Sequence, residues 1–182
     1  MATFVAMLRG INVSGQKSIR MPDLKALFES LGFSQVETYV QSGNVVFHAA
    51  EGHSASLAAT IAAQIESSYG FEVAVFIRDA ADLLRIVAGN PFVQRNADPT
   101  KLHITFLDHA PAEADLSQMK PPNDETDEFL TGPQEIFLFC PNGYGRTKLS
   151  NSFFERKLKM SATTRNWKTV NTLLGMAKER DA

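Results

Sequence analysis

The first 77 residues carry an order of patterns that few folds can satisfy. Thr3-Phe4-Val5-Ala6-Met7-Leu8 is rich in β-formers and gives way to a loop, Arg9 to Arg20, with two glycines and three cations. Pro22 suits a first helical turn, Leu24, Leu27, Phe28 and Leu31 recur at helical spacing, and Gly32 closes that helix. Residues 36–40 and 44–48 read as strands around Gln41-Ser42-Gly43, a hairpin whose Gly43 can take positive φ. Ser54 is a candidate N-cap for a helix carrying Leu57, Ile61, Ile65 and Tyr69, which Gly70 ends, and residues 71–77 alternate as a strand. Strand, helix, strand, strand, helix, strand is the split βαβ unit of ferredoxin-like folds, an antiparallel sheet with two helices on one face.

A second round follows with a weaker script. Asp79 can cap a helix through Leu83, Leu84 and Val87 that stops near Gly89-Asn90-Pro91, and this segment reads as a connector. Residues 102–107 alternate as a strand, 112–119 form a short helix, and 128–130 with 134–139 form a hairpin about Thr131-Gly132-Pro133. Leu149, Phe153, Phe154 and Leu158 put an apolar stripe on one helix, and Trp167, Val170, Leu174 and Ala177 put one on a last helix. No fourth strand is evident. The fold class expected is α+β, two ferredoxin-like halves with antiparallel sheets, the second incomplete. Residues 1–79 form the N-terminal half, 80–100 a helical connector, and 101–182 a C-terminal half whose last helix packs back across the first.

A chain of 182 residues with 44% hydrophobic and 21% charged residues can build such cores, so disorder is not expected. The apolar runs are far shorter than the ~20 residues of a spanning helix, and a strand with Arg9 behind it is no signal peptide. Cys140 is the one cysteine, which precludes an intramolecular disulfide and points to the reducing cytoplasm. Its neighbours Phe137, Leu138 and Phe139 suit a buried strand-end cysteine rather than a nucleophile.

Charge is distributed unevenly. Residues 80–140 hold four Lys and Arg against ten Asp and Glu, whereas residues 141–182 hold nine against three. The acids Asp124, Glu125, Asp127 and Glu128 read as a solvated loop leading into a strand. From Asn142 to Lys168 seven cations face the single acid Glu155, about +6 in a chain of net charge -2. This stretch is the candidate anion site. Gly143 and Gly145 follow a strand, and Arg146, Thr147 and Lys148 are expected to enter a helix, the layout in which backbone N–H groups and a helix dipole meet phosphate. Thr164 and Arg165, expected just before a helix, add a hydroxyl and a cation at the positive end of a dipole. Arg9, Asn12 and Lys17 bring a third group of polar side chains to the end of a strand. Gln41, Ser42 and Asn44 fit ordinary hairpin chemistry.

Catalytic signatures are sparse. Gly143-Tyr144-Gly145-Arg146-Thr147-Lys148 lacks the spacing of an NTPase phosphate loop, and neither Gly-x-Ser-x-Gly nor His-Glu-x-x-His occurs. His48, His53, His103 and His109 show no metal-ligand spacing with the cysteine, so no metal and no cofactor is expected, and His103 reads as structural. Trp167 reads as a core or lid residue.

Leu8-Arg9-Gly10-Ile11-Asn12-Val13, Tyr39-Val40-Gln41-Ser42-Gly43-Asn44-Val45, Arg146-Thr147-Lys148-Leu149 and Thr163-Thr164-Arg165-Asn166-Trp167 together resemble a bacterial family designated a domain of unknown function. The resemblance spans nearly the whole chain. It implies the duplicated α+β architecture and no assigned reaction. Ser14 stands where the family pattern has a glycine, which asks whether the backbone there needs a glycine-only conformation.

Three function classes follow, in order. The first is a module binding nucleic acid or a phosphorylated ligand through the basic C-terminal third; the others are an enzyme acting on a nucleotide or phosphate ester, and a protein-interaction domain. Net charge -2 argues against a dedicated nucleic-acid binder. No membrane partner is expected, and oligomeric state is not legible in the sequence.

Overall fold

The computed structural model describes residues 1–50, 52, 54–120 and 126–181. They divide into two compact units, Met1–Arg85 with Thr172–Ala182, and Ile86–Asn171.

The first unit runs β1 (Ala2–Leu8), α1 (Met21–Ser30), β2 (Ser34–Tyr39), β3 (Asn44–Ala49), α2 (Ser54–Tyr69) and β4 (Val75–Asp79). All pairings are antiparallel, in the order β2-β3-β1-β4. β1 therefore lies between two strands, and from Thr3 onward all of it is buried. Alternation sends Phe4, Ala6 and Leu8 to the face covered by α1 and α2, where they join Leu24, Phe28, Phe47, Ile61 and Ile65 in one core. Phe47 is the hub of that core: its ring lies 5.2 Å from Phe28, edge-on, 4.7 Å from Phe33 and 6.0 Å from Phe4. Gly70, at φ 77°, ends α2 by donating its N–H to the Glu66 carbonyl.

The opposite face of this sheet receives the end of the last helix, α7 (Trp167–Asp181). Arg180 donates from Nη2 to Glu37 at 2.6 Å and from Nε to the Gln35 carbonyl at 2.9 Å, while Thr3 Oγ1 donates to Asp181. The terminal helix thus returns to the first sheet on the side that α1 and α2 leave open.

The chain passes through α3 (Ala80–Ala88), whose first turn is capped where Asp79 Oδ1 accepts from Asp82 N at 2.7 Å, and α4 (Pro91–Gln94). The second unit then runs β5 (Leu102–Leu107), α5 (Glu113–Gln118), β6 (Glu128–Thr131), β7 (Glu135–Phe139), α6 (Asn151–Leu158) and β8 (Ala162–Asn166), and α7 (Trp167–Asp181) follows. Its antiparallel sheet has the order β6-β7-β5-β8, which repeats the first sheet strand for strand. Leu107, Ile136, Leu138 and Cys140 pack under Leu116, Phe153, Phe154 and Leu158 of α5 and α6, so Cys140 is a buried core thiol.

Two expectations are corrected here. The second half is complete: β8 is the fourth strand, pairing with β5 through Thr164 opposite Thr105 and Arg165 opposite Ile104. It escapes sequence reading because Ala162-Thr163-Thr164-Arg165-Asn166 has no apolar alternation. Only Ala162 joins the apolar core beneath α6, and the next contact is polar: Thr105 Oγ1 and Thr164 Oγ1 are 2.8 Å apart, and Thr164 Oγ1 donates to Asn151 Oδ1 at 2.6 Å. The acid cluster is also not uniformly solvated. Asp127 is buried and Glu128 is paired with Arg95 at 3.0 Å, while Asp124 and Glu125 lie outside the described residues, as does His53.

Candidate functional site

In the first unit the candidate residues lie in the loop after β1, whose backbone is left-handed at Gly10, Asn12, Ser14, Gly15 and Lys17. Ser14 sits at φ 53°, so the backbone does keep a left-handed conformation there, one that a short polar residue can adopt at some cost. Asn12 holds the loop together. Its Nδ2 donates to the carbonyls of Ile19 at 2.9 Å and Gln41 at 2.8 Å, and its Oδ1 accepts from Ile19 N at 2.8 Å. The amide is fully occupied by the backbone and joins the loop to the β2–β3 turn. Gly43 belongs to the same joint: it has φ 88°, its carbonyl accepts from Leu8 N, and a Cβ there would lie 2.6 Å from Ile11 Cδ1. Lys17 is exposed and donates from Nζ to the Glu72 carbonyl at 2.7 Å. Arg9 is half-buried, with its N–H on the Ala74 carbonyl at 3.0 Å. Asn12 therefore staples the loop to the backbone around Ile19 and Gln41.

In the second unit, residues 142–150 link β7 to α6. Gly143, at φ 93°, donates its N–H to the Cys140 carbonyl at 2.9 Å and opens a 3-10 turn over Tyr144–Arg146. Arg146 N and Thr147 N close that turn on the carbonyls of Gly143 and Tyr144. Thr147 Oγ1 accepts from Leu149 N at 3.0 Å, and α6 starts only at Asn151, capped by Ser150 Oγ accepting from Phe153 N at 3.2 Å. The expected entry of Thr147 and Lys148 into the helix is thus corrected, because a turn with its own hydrogen bonds intervenes. What remains available is side-chain charge: Arg146 and Lys148 are exposed, as are Arg156, Lys157 and Lys159 at the far end of α6. Gly145 faces open space, since a Cβ built there meets nothing within 4 Å.

Thr164 and Arg165 lie on β8, not in a helix-capping loop, and Asn166 caps α7 by accepting from Thr169 N at 2.8 Å. Successive strand residues point to opposite faces, so Thr164 meets α6 while Arg165 turns away from it. Arg165 is only 7% exposed and donates from Nη1 to Thr163 Oγ1 at 2.9 Å and to the Thr164 carbonyl at 3.1 Å. Burial pushes its pKa down to about 10, with Tyr144 acting in the other direction. Arg165 is thus held by its own strand and largely shielded from solvent, whereas Arg146 and Lys148 are exposed.

One grouping escaped the sequence reading. His103 of β5 stacks on Tyr144 with ring centroids 4.7 Å apart and planes inclined by 23°. Its Nδ1 is buried with no hydrogen-bond partner among the described residues, and burial lowers its pKa. Beside it on the same face run Thr105, Thr164 and Asn151. The pairing depends on a 41-residue separation that no local pattern encodes, and only the alternation around His103 hinted at a packed ring. Among the described residues no group of three His, Cys, Asp or Glu gathers as a metal site would, and no helix is long and apolar enough to cross a membrane.

Two antiparallel four-stranded sheets of identical strand order define a duplicated ferredoxin-like α+β protein. The chain belongs to the family described as protein of unknown function (DUF1697), whose model matches residues 1–137. Among solved structures, it is similar to a conserved bacterial protein from Streptococcus pneumoniae at 22% identity and a TM-score of 0.75, covering 98% of this chain and 99% of that one. That likeness is one of fold. No curated protein matched the chain.

Proposed function

We propose that the second unit binds polyanions, a nucleic acid or another ligand bearing several phosphates, through the surface formed by residues 146–159. The observation that carries this reading is a run of exposed cations. Arg146, Lys148, Arg156, Lys157 and Lys159 are exposed, and none forms an ion pair with a described residue. Glu155, the one acid of the segment, has its Oε2 on Ala162 N at 3.2 Å. Arg156 and Lys157 suit the negative end of the α6 dipole, whereas Arg146 and Lys148 precede its positive end. The eight residues of α6 span about 12 Å, so cations flank the helix at both ends. Charges so spaced match an extended chain of phosphates better than a single phosphate ester. A buried lone thiol at Cys140 supports the cytoplasm as the compartment.

The test is a double substitution, Arg146→Ser with Lys148→Ser, titrated against labelled oligonucleotide or heparin at two salt concentrations. Binding should weaken about tenfold at low salt and depend less steeply on salt, because fewer counterions are released. The urea midpoint should hardly move, by the equivalent of about 0.5 kcal/mol or less, as both side chains are exposed. A wild-type protein that binds neither probe at low salt ends the proposal.

A further inference from the structure

The first unit carries an open groove of ≈ 420 Å³ between α2 and the chain entering β4. Ala59, Ala62, Ala63 and Glu66 of α2 line one wall, and Glu72 and Val73 line the other. Alanines keep the helix wall low over about 10 Å, roughly the length of three extended residues. β4 is an edge strand, so half of its backbone groups have no neighbouring strand. Arg9 N donates to the Ala74 carbonyl at 3.0 Å, which sets the alternation: Ala74 and Phe76 turn their backbone groups to β1, and Val73, Val75 and Ile77 turn theirs to the edge. At Ile77 that edge is closed, because its carbonyl accepts from Arg78 Nη1 at 2.8 Å. The second unit repeats the closure where the Thr164 carbonyl accepts from Arg165 Nη1 at 3.1 Å. At Val73, beside the groove, the edge is open: no described residue hydrogen-bonds its N–H or carbonyl. The rim is acidic. Glu66 and Glu72 are exposed and neither carboxylate forms an ion pair with a described residue, Lys17 being held by the Glu72 carbonyl instead.

From an alanine-walled groove beside an open strand edge, with two carboxylates at its rim, we infer that the first unit docks an extended cationic peptide segment of a partner protein. The segment adds to the sheet edge: its backbone pairs with Val73, small or β-branched side chains lie against the alanines of α2, and a Lys or Arg reaches Glu66 or Glu72. Backbone pairing supplies affinity, while the low wall and the carboxylates select the sequence. A helical segment satisfies its own backbone groups and leaves Val73 unpaired. Nucleic acid is repelled by the two acids, so this surface is independent of the polyanion reading and stands or falls without it.

The experiment titrates the full chain against labelled heptapeptides, acetylated and amidated, with Lys at alternate positions and Ala, Val or Thr between them. Two control sets carry Glu in place of Lys, or N-methyl groups on alternate amides, which remove strand pairing and keep the side chains. Two variants are compared with wild type: Ala63→Leu, which raises the helix wall at an exposed position with a good helix former, and Glu66→Lys combined with Glu72→Lys. Wild type should bind the lysine peptides and not the glutamate ones, and binding should slow amide exchange at Val73. N-methylation and Ala63→Leu should each weaken binding at least about tenfold, the scale of losing one or two backbone hydrogen bonds. The double charge reversal should weaken it about tenfold and abolish its decline with salt. Failure of wild type to bind any lysine peptide at millimolar concentration, equal binding of lysine and glutamate peptides, or undiminished binding after N-methylation or in Ala63→Leu overturns the inference. The N-methyl comparison needs no variant, so it decides even where a substitution disturbs α2.

Discussion

The loop after β1 and the segment before α6 look alike as sequence, and the structure uses them in opposite ways. Both follow a strand, both carry two glycines within a few residues, and both contain asparagine and cations. In the first, the polar groups are consumed internally: Asn12 makes three hydrogen bonds to backbone, Lys17 reaches the Glu72 carbonyl, and Gly43 leaves room for Ile11. In the second, the backbone N–H groups of Gly143, Arg146 and Thr147 are committed to the turn, yet the side chains of Arg146 and Lys148 remain in solvent. A polar glycine loop becomes a candidate ligand surface only through the capacity its own fold leaves unused.

The strongest way to break that contrast is to damage the first loop and look for any effect on binding. Gly43→Val combines a β-branched residue at φ 88° with a Cβ 2.6 Å from Ile11 Cδ1, and should cost about 3 kcal/mol by urea unfolding. Asn12→Ala leaves two carbonyls and one N–H of a partly buried joint without their partner and should cost about 2 kcal/mol. Neither should alter oligonucleotide binding under conditions where the variant is folded. A loss of binding larger than the loss of stability would place the first loop in the site.

Arg165 sharpens the contrast from within the second unit, for it behaves like Asn12 although it stands in a cationic motif. Arg165→Ala should lower stability by roughly 2 kcal/mol, the loss of charge-assisted hydrogen bonds being partly offset because a charge need no longer be buried. Polyanion binding should stay within about twofold, a prediction tied to its 7% exposure. Weakened binding at unchanged stability would restore it to the surface.

The smallest expected effect concerns His103. Burial lowers its pKa in the folded state below the ordinary value of 6.5, so the unfolded chain takes up the proton first. The contribution to stability is therefore intact above that value and declines as pH falls below it. His103→Phe, which keeps a ring under Tyr144, should lessen the fall in urea midpoint between about pH 7.5 and about pH 5.5. Identical pH dependence in the two proteins would mean that His103 is not desolvated as the structure has it.

Most of the architecture could be read from the chain. The α1 stripe of Leu24, Leu27 and Phe28 stood out because local periodicity maps directly onto one buried face. The β5 alternation, the hairpins and the Asp79 cap were legible for the same kind of reason, each being a property of neighbouring residues. β8 was not, because Thr164 faces α6 through Thr105 and Asn151, partners 59 and 13 residues away, rather than through apolar side chains. The site divides along the same line. The excess of positive charge between residues 142 and 168 was visible as a count. Which cations face solvent was settled by strand alternation at Arg165 and by the 3-10 turn at Arg146, and the stacking of Tyr144 on His103 by bringing a turn onto a strand. Charge and periodicity are additive along a chain, whereas burial and hydrogen-bond partnership are properties of pairs, and the pairs that matter here exist only once the sheets have formed.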